Sequence, residues 1–250
     1  MNEYIYEKGL FYLLNLICTN QDSLVCTDNE SYLMGRSNLG LPTWIWTKDN
    51  LSEESYRKVK EDIKKYLVDK ENKFTCKKEL YEKLSKEFDT DNYFEMGYLE
   101  CKELKEIENK KGLFDKADYS DKMVLARFWQ DNCREMDKEN IELSAALETV
   151  NNWIEEGNFY VLRDGAGKAV CMAGYSTLDE YAKITHVYTE RKERGKHYCT
   201  SLIYYLTKEL IEKGDKPMLY TDFHYEASNK AYNNVGFENE GILINFIIRK

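Results

Sequence analysis

The segment Val187–Leu202, VYTERKERGKHYCTSL, decides how the rest of the chain is read. A short β-branched run enters a loop carrying Arg191, Lys192, Arg194, Lys196, one glycine (Gly195) and His197. An apolar-periodic stretch follows, with Leu202, Ile203, Leu206, Leu210 and Ile211 on one helical face. The order is strand, loop, helix. A helix start exposes unpaired N–H groups and the positive end of the dipole, which suits an anion. Gly195 lets a backbone approach an oxygen closely. The competing reading is a solvated charged turn. GxxxxGK[ST] and GxGxxG do not occur, so neither a nucleoside triphosphatase nor a dinucleotide fingerprint is indicated.

Working outward, LFDKAD reads as a short strand, and Ser120 as the cap of a helix carrying Val124 and Phe128. A further helix holds Ala146, Val150, Trp153 and Ile154. FYVLRD-GAG-KAVCMAGYS reads as a hairpin around Asp164-Gly165. AKITHVYT is a strand, Gly214 ends the helix after the loop, MLYTDF is a strand, EASNKAYNNVGF a short helix stopped at Gly236, and ILINFIIRK a closing strand. The order β-α-α-β-β-β-α-β-α-β is an α/β (α+β, mixed-sheet) layer architecture.

The first half is less regular. Residues 2–18 read as an amphipathic helix, SLVC and SYLM as strands around a turn, and TWIWT as a strand with core tryptophans. Ser52 caps a helix to about Leu67, a second helix follows Thr75 with Leu80, Leu84 and Phe88, and YFEMGYLECKEL is a strand. EIENKKG, residues 106–112, is polar and ends in glycine, which makes it the linker. The division is therefore a smaller α/β domain over 1–108 and a second domain over 112–250.

Composition narrows the function classes. The 250 residues carry a net charge of -9, which disfavours nucleic-acid binding and anionic membrane surfaces. No apolar run is long enough to span a bilayer, and the N-terminus has no cleavage signature. Seven cysteines without a CxxC fit a reducing cytoplasm. The three histidines, His186, His197 and His224, lack partners at ligand spacing, so no metal is expected.

The opening segment resembles motif A of the GNAT family of N-acetyltransferases, a strand followed by Arg/Gln-x-x-Gly-x-Gly/Ala at a helix start. Further on, Leu219–Phe237 resembles the family's motif B in Ser228, Asn229, Tyr232, Gly236 and Phe237. The resemblance covers roughly residues 112–250. Residues 1–108 look like the extra N-terminal α/β domain, itself a degenerate GNAT-like unit, of a bacterial subgroup. It implies acetyl-CoA as co-substrate and an acetyl group passed to a primary amine, on a small molecule or a peptide, within a ternary complex. Val187, Tyr188 and Thr189 would then pair with the pantetheine arm. Arg194, Gly195, Lys196, His197, Tyr198 and Cys199 would hold the pyrophosphate, with Asn229 near the thiol end and Tyr232 protonating the leaving thiolate. A homodimer is a common assembly in the family.

The sequence departs from the pattern within motif A and just before it. His197 and Cys199 stand where motif A has Gly and Gly/Ala, and Glu190-Arg191 replaces the subgroup's Pro-Pro. A side chain at 197 either crowds a phosphate and demands a negative φ, or adds a hydrogen bond to it. For the base that takes the amine proton, His186 and Glu180 are the candidates, each weighed against an ordinary strand or turn role. Cys199 could carry a thiolate at a helix start, but its place favours packing. The rival reading is an inactive acyl-CoA-binding or protein-interaction module of the same fold.

Overall fold

The computed structural model describes residues 7–136 and 139–250. Along the chain run α1 (Tyr12–Thr19), β1 (Leu24–Thr27), β2 (Tyr32–Arg36), β3 (Thr43–Thr47), α2 (Glu53–Tyr66), β4 (Glu71–Lys77), α3 (Lys78–Leu84) and β5 (Thr90–Cys101). Then come β6 (Leu113–Lys116), α4 (Lys122–Met136), α5 (Leu143–Glu156), β7 (Phe159–Arg163), β8 (Ala169–Leu178), β9 (Tyr181–Thr189), α6 (Tyr198–Glu212), β10 (Lys216–Asp222), α7 (Glu226–Val235) and β11 (Phe237–Arg249). From β6 onward this is the order read from the sequence. Residues 2–6 of the expected first helix lie outside the described residues.

Two compact units interleave along the chain. One takes residues 1–98, 220–225 and 239–250, and the other 99–219 and 226–238. The sequence reading instead draws one contiguous boundary near 108–112. The interleaving has a direct cause in the first unit: Leu243–Arg249 of β11 pairs antiparallel with Lys77–Glu71 of β4. β4 was not foreseen. Its residues Phe74, Thr75 and Cys76 are all buried, so the period-2 pattern is lost and the helix reading that starts at Thr75 runs over the end of a strand. The core of this unit joins Ile45, Phe74 and Cys76 with Val59 and Ile63 of α2 and with Ile244, Phe246 and Ile248 of β11. α2 itself starts as expected. Ser52 Oγ accepts from the Ser55 amide at 3.1 Å, with Glu53 and Glu54 in the first turn and Lys64 and Lys65 in the last.

In the second unit β6, β7, β8 and β9 are antiparallel neighbours, and β10 joins β9 in parallel. Alternation along these strands builds two cores. Leu162, Cys171, Ala173, Ala182 and Ile184 face α6 and α7, while Phe159, Val161, Met172 and Tyr188 face α4 and α5. Ser120 is not the cap of α4. Asp118 caps a 3-10 turn over Tyr119–Asp121, accepting from the Ser120 amide at 2.7 Å, and α4 begins after it. The expected linker is irregular but tethered to α6: Tyr204 OH donates to Glu106 at 2.6 Å, and the Lys111 amide donates to Ser201 Oγ at 2.9 Å.

Candidate active site

The site grows from a defect in β9. Thr185 pairs with Gly174 and Tyr188 with Met172, so His186 and Val187 together oppose Ala173. This is a β-bulge, and His186 takes the left-handed conformation at φ 53°. The parallel ladder with β10 runs from Tyr181–Lys216 to Ile184–Leu219 and stops there. The Glu190 amide donates to Val170 O at 3.0 Å, which turns residue 190, and by alternation Tyr188, toward β8. The backbones of Val187 and Thr189 therefore point to the other edge, where this ladder no longer continues. Thr189 O is partly used, accepting from Arg194 Nε at 3.0 Å.

The loop after β9 is less basic than it reads. Glu135 of α4 takes Arg191 Nε and Arg194 Nη2 at 2.7 Å each. Burial works to raise the Glu135 carboxyl, but the two arginines hold it below the usual carboxylate range. Lys192 and Lys168 pair with Glu190, and Lys196 with Glu193 at 2.8 Å. With these cations neutralised locally, anion binding falls to backbone groups. Gly195 sits at φ 76° and His197 at φ 67°, immediately before α6. The amides of Tyr198, Cys199 and Thr200 belong to the first turn, where no helical acceptor exists. His197 thus adopts the glycine conformation instead of forcing a negative φ, and its side chain is exposed. It lines a cavity of about 280 Å³ with Glu106, Asn109, Thr200 and Asn234.

α7 supplies the other half. Tyr232 is buried in the core shared with α6, its ring edge-on to Phe237 at 6.2 Å. Asn229, three residues earlier, is half-buried on the same helical face. Gly236 ends the helix at φ 112°, where a Cβ would meet Glu103 O at 2.2 Å.

The structure separates the residues assigned from sequence. Val187, Thr189, residues 194–199, Asn229 and Tyr232 all belong to one unit. Tyr188 does not share the open edge; its ring is buried, packs against Phe128 and lies under the Arg194 guanidinium. Glu180 is displaced further. It sits in the turn before β9, paired with Lys216 at 3.6 Å, seven strand residues or about 20 Å from Val187. His186 lies at the bulge, but in an aromatic box of Trp153 at 4.6 Å, Trp129 at 5.0 Å and Phe159 at 6.3 Å. Burial, then the charge of Lys183, push its imidazole down to about 4. It is neutral at pH 7 and a weak base. Lys183, three residues earlier, was missed by sequence reasoning, and burial lowers its ammonium to about 8. The available signal was a lysine set between Ala182 and Ile184 in an apolar strand.

The fold and this arrangement have counterparts. The profile of the Acetyltransferase (GNAT) family matches residues 125–237. No curated protein matches the chain. Among solved structures, a GNAT-family acetyltransferase from Colwellia psychrerythraea shares 14% identity at a TM-score of 0.64, covering 100% of this chain and 98% of its own. A GCN5-related N-acetyltransferase from Kribbella flavida shares 12% at 0.65, covering 97% and 95%. One from Sphaerobacter thermophilus shares 7% at 0.60, covering 87% and 80%. At these identities the likeness is one of fold, and it extends over the N-terminal region as well.

Proposed function

Residues 125–237 form a domain of the GNAT acetyltransferase family, an acyltransferase, and from that premise we propose that the chain transfers an acetyl group from acetyl-CoA to a primary amine. The observation that carries the reading is the open edge of β9 at the His186–Val187 bulge, set directly before the N-terminal amides of α6. The residues present fit the co-substrate. Positive φ at Gly195 and His197 turns the loop as an anion cradle requires, and a Cβ at Gly195 would meet nothing within 4 Å.

Acetyl-CoA supplies an activated thioester when bound. The amides of Tyr198, Cys199 and Thr200 hold its phosphates, helped by the helix dipole. The Val187 backbone hydrogen-bonds the extended arm in the manner of an added strand. Tyr232 gives a proton to the leaving sulfur. Glu180 is too far to take the amine proton, and neutral His186 serves better as a wall of the acceptor side than as its base. The acidic chain favours cationic acceptors such as polyamines or lysine side chains by steering. The cytoplasm is the compartment that supplies acetyl-CoA to such a reaction.

Calorimetric titration with acetyl-CoA tests the reading, with His197→Gly beside the natural sequence. Micromolar binding by both is expected. Binding only by His197→Gly would favour the rival, an interaction module that has given up its co-substrate, a reading motivated by the histidine in the loop. A screen of amines with thiol release as the readout then tests catalysis. Tyr232→Phe should lose about 10²-fold or more in turnover while acetyl-CoA affinity holds. Unchanged turnover would remove the tyrosine from the mechanism.

A further inference from the structure

Two thiols stand behind the phosphate-binding loop, and the transfer reaction uses neither. Cys171 of β8 is the register partner of Thr189, and its Sγ lies 3.0 Å from Thr189 Oγ1. It is fully buried. Cys199 is the second residue of α6, half-buried against the same core. The Cys171 and Cys199 side chains interact directly, and both share the Thr189 hydroxyl. Both are free thiols. Two reduced cysteines, one from the strand beside β9 and one from the turn that carries the α6 amides, therefore meet at a single point.

We propose that Cys171 and Cys199 are a peroxide-sensitive thiol pair, and that their disulfide switches off co-substrate binding at the start of α6. The pair stands on its own geometry; the switching rests on the acetyl-CoA reading above. The two sulfurs divide the work. Cys199 lies in the first turn of a helix, where the dipole favours a thiolate, and it is the less buried of the two. Its hydrogen bonds from Cys171 and Thr189 pull its pKa down against burial, whereas burial and Cys199 push Cys171 up. The Cys199 thiolate attacks one oxygen of hydrogen peroxide. The O–O bond breaks, Cys199 becomes a sulfenic acid, and hydroxide leaves and takes up a proton as water. The Cys171 sulfur then attacks the Cys199 sulfur and expels a second water. Two thiols and one peroxide thus give one disulfide and two waters.

The bond requires the sulfurs to stand about 2.05 Å apart. In the proposed switch the first turn of α6, which carries Cys199, gives way toward β8 as the bond forms, and this displaces the amides of Tyr198, Cys199 and Thr200.

The test uses the full chain. Reduced protein is treated with rising doses of hydrogen peroxide, alkylated and mapped by peptide mass. Acetyl-CoA titrations are run on the reduced sample, the oxidised sample and the oxidised sample recovered with dithiothreitol. A linked Cys171–Cys199 peptide should appear before modification of Cys18 or Cys26, the half-buried cysteines of the other unit. Acetyl-CoA affinity should fall at least about tenfold and return with the reductant. Cys171→Ala should form no linked peptide and should carry Cys199 onward to sulfinic acid. Oxidation of Cys18 or Cys26 first, or sulfinate at Cys199 of the natural sequence without a disulfide, overturns the pair. A disulfide with unchanged affinity overturns the switch. Reduced protein that takes up no acetyl-CoA overturns the co-substrate reading and the switch with it, while the peptide map still decides the thiol pair.

Discussion

His197 holds a conformation that glycine adopts freely, at φ 67° and without a side-chain cap. Left-handed strain costs about 1–2 kcal/mol at a residue with a Cβ. Glycine's greater freedom in the unfolded chain costs about 0.5–1 kcal/mol. The difference favours His197→Gly by at most about 1.5 kcal/mol in urea denaturation. A loss larger than 1 kcal/mol would mean that the imidazole contributes a contact that outweighs the strain. His186 makes a different forecast. Its imidazole ordinarily titrates near 6.5 and is pushed down to about 4 in the fold. Below pH 6.5 the unfolded chain takes up a proton that the folded chain refuses until about pH 4. The stabilisation from the neutral ring is therefore complete above pH 6.5 and is lost as pH falls toward 4, on the order of 2–3 kcal/mol. Denaturation at pH 7.5 and 4.5 should show that loss in the natural sequence and not in His186→Asn, asparagine being tolerated at positive φ. Equal losses would place the ring in solvent. Asn229 and Tyr232 share a helical face because their spacing is local. Lys183 is marked in the sequence only by its apolar neighbours Ala182 and Ile184, and it is the fold that buries it.

At the scale of elements, junctions carry the weight. At Gly236, between α7 and β11, an added Cβ would meet the backbone oxygen of Glu103 at 2.2 Å. A backbone atom cannot swing aside, and the residue also sits at φ 112°. Overpacking and strain each cost about 1–3 kcal/mol, so Gly236→Ala should lose about 3 kcal/mol or more on chemical denaturation. A milder loss would show that the segment carrying Glu103 gives way. The loop before α6 is held from outside, by Glu135 on α4. Each partly exposed ion pair contributes about 0.5–1 kcal/mol at most. Glu135→Ala should hardly change global stability, yet amide exchange of residues 191–197 should quicken while that of α5 stays the same. Unchanged exchange would mean that backbone turns alone order the loop. The helix starts differ in legibility for a related reason. Ser52 caps α2 as its position suggests, whereas Asp118 displaces Ser120 through a reciprocal pair with Asp121. Asp121 in turn is held by Arg163 from β7, a partner far along the chain.

Across the whole molecule, the chain does not divide where its composition changes. Residues 239–250 belong with 1–98, because Leu243–Arg249 pairs with β4. A fragment of residues 112–250 keeps this strand but loses β4, exposing Ile244, Phe246 and Ile248. It should aggregate or show no cooperative melting by circular dichroism, while the full chain melts cooperatively. A folded, monomeric fragment would mean that the C-terminal strand needs no partner from the first hundred residues.

What the sequence by itself determined is the succession of elements from β6 to β11, the loop before α6, and the residues of α7 that face the same core. Each depends on neighbours within a few turns of chain, and periodicity, glycine and capping report on such neighbours. Tertiary structure alone decided the rest. The bulge at His186 exists because one residue of β8 must oppose two of β9. The loop arginines are neutralised by a carboxylate more than fifty residues away. β4 and β11 meet across most of the chain, and Cys171 and Cys199 meet at Thr189. Such pairings are set by which surfaces find each other on folding, and local patterns carry no record of them.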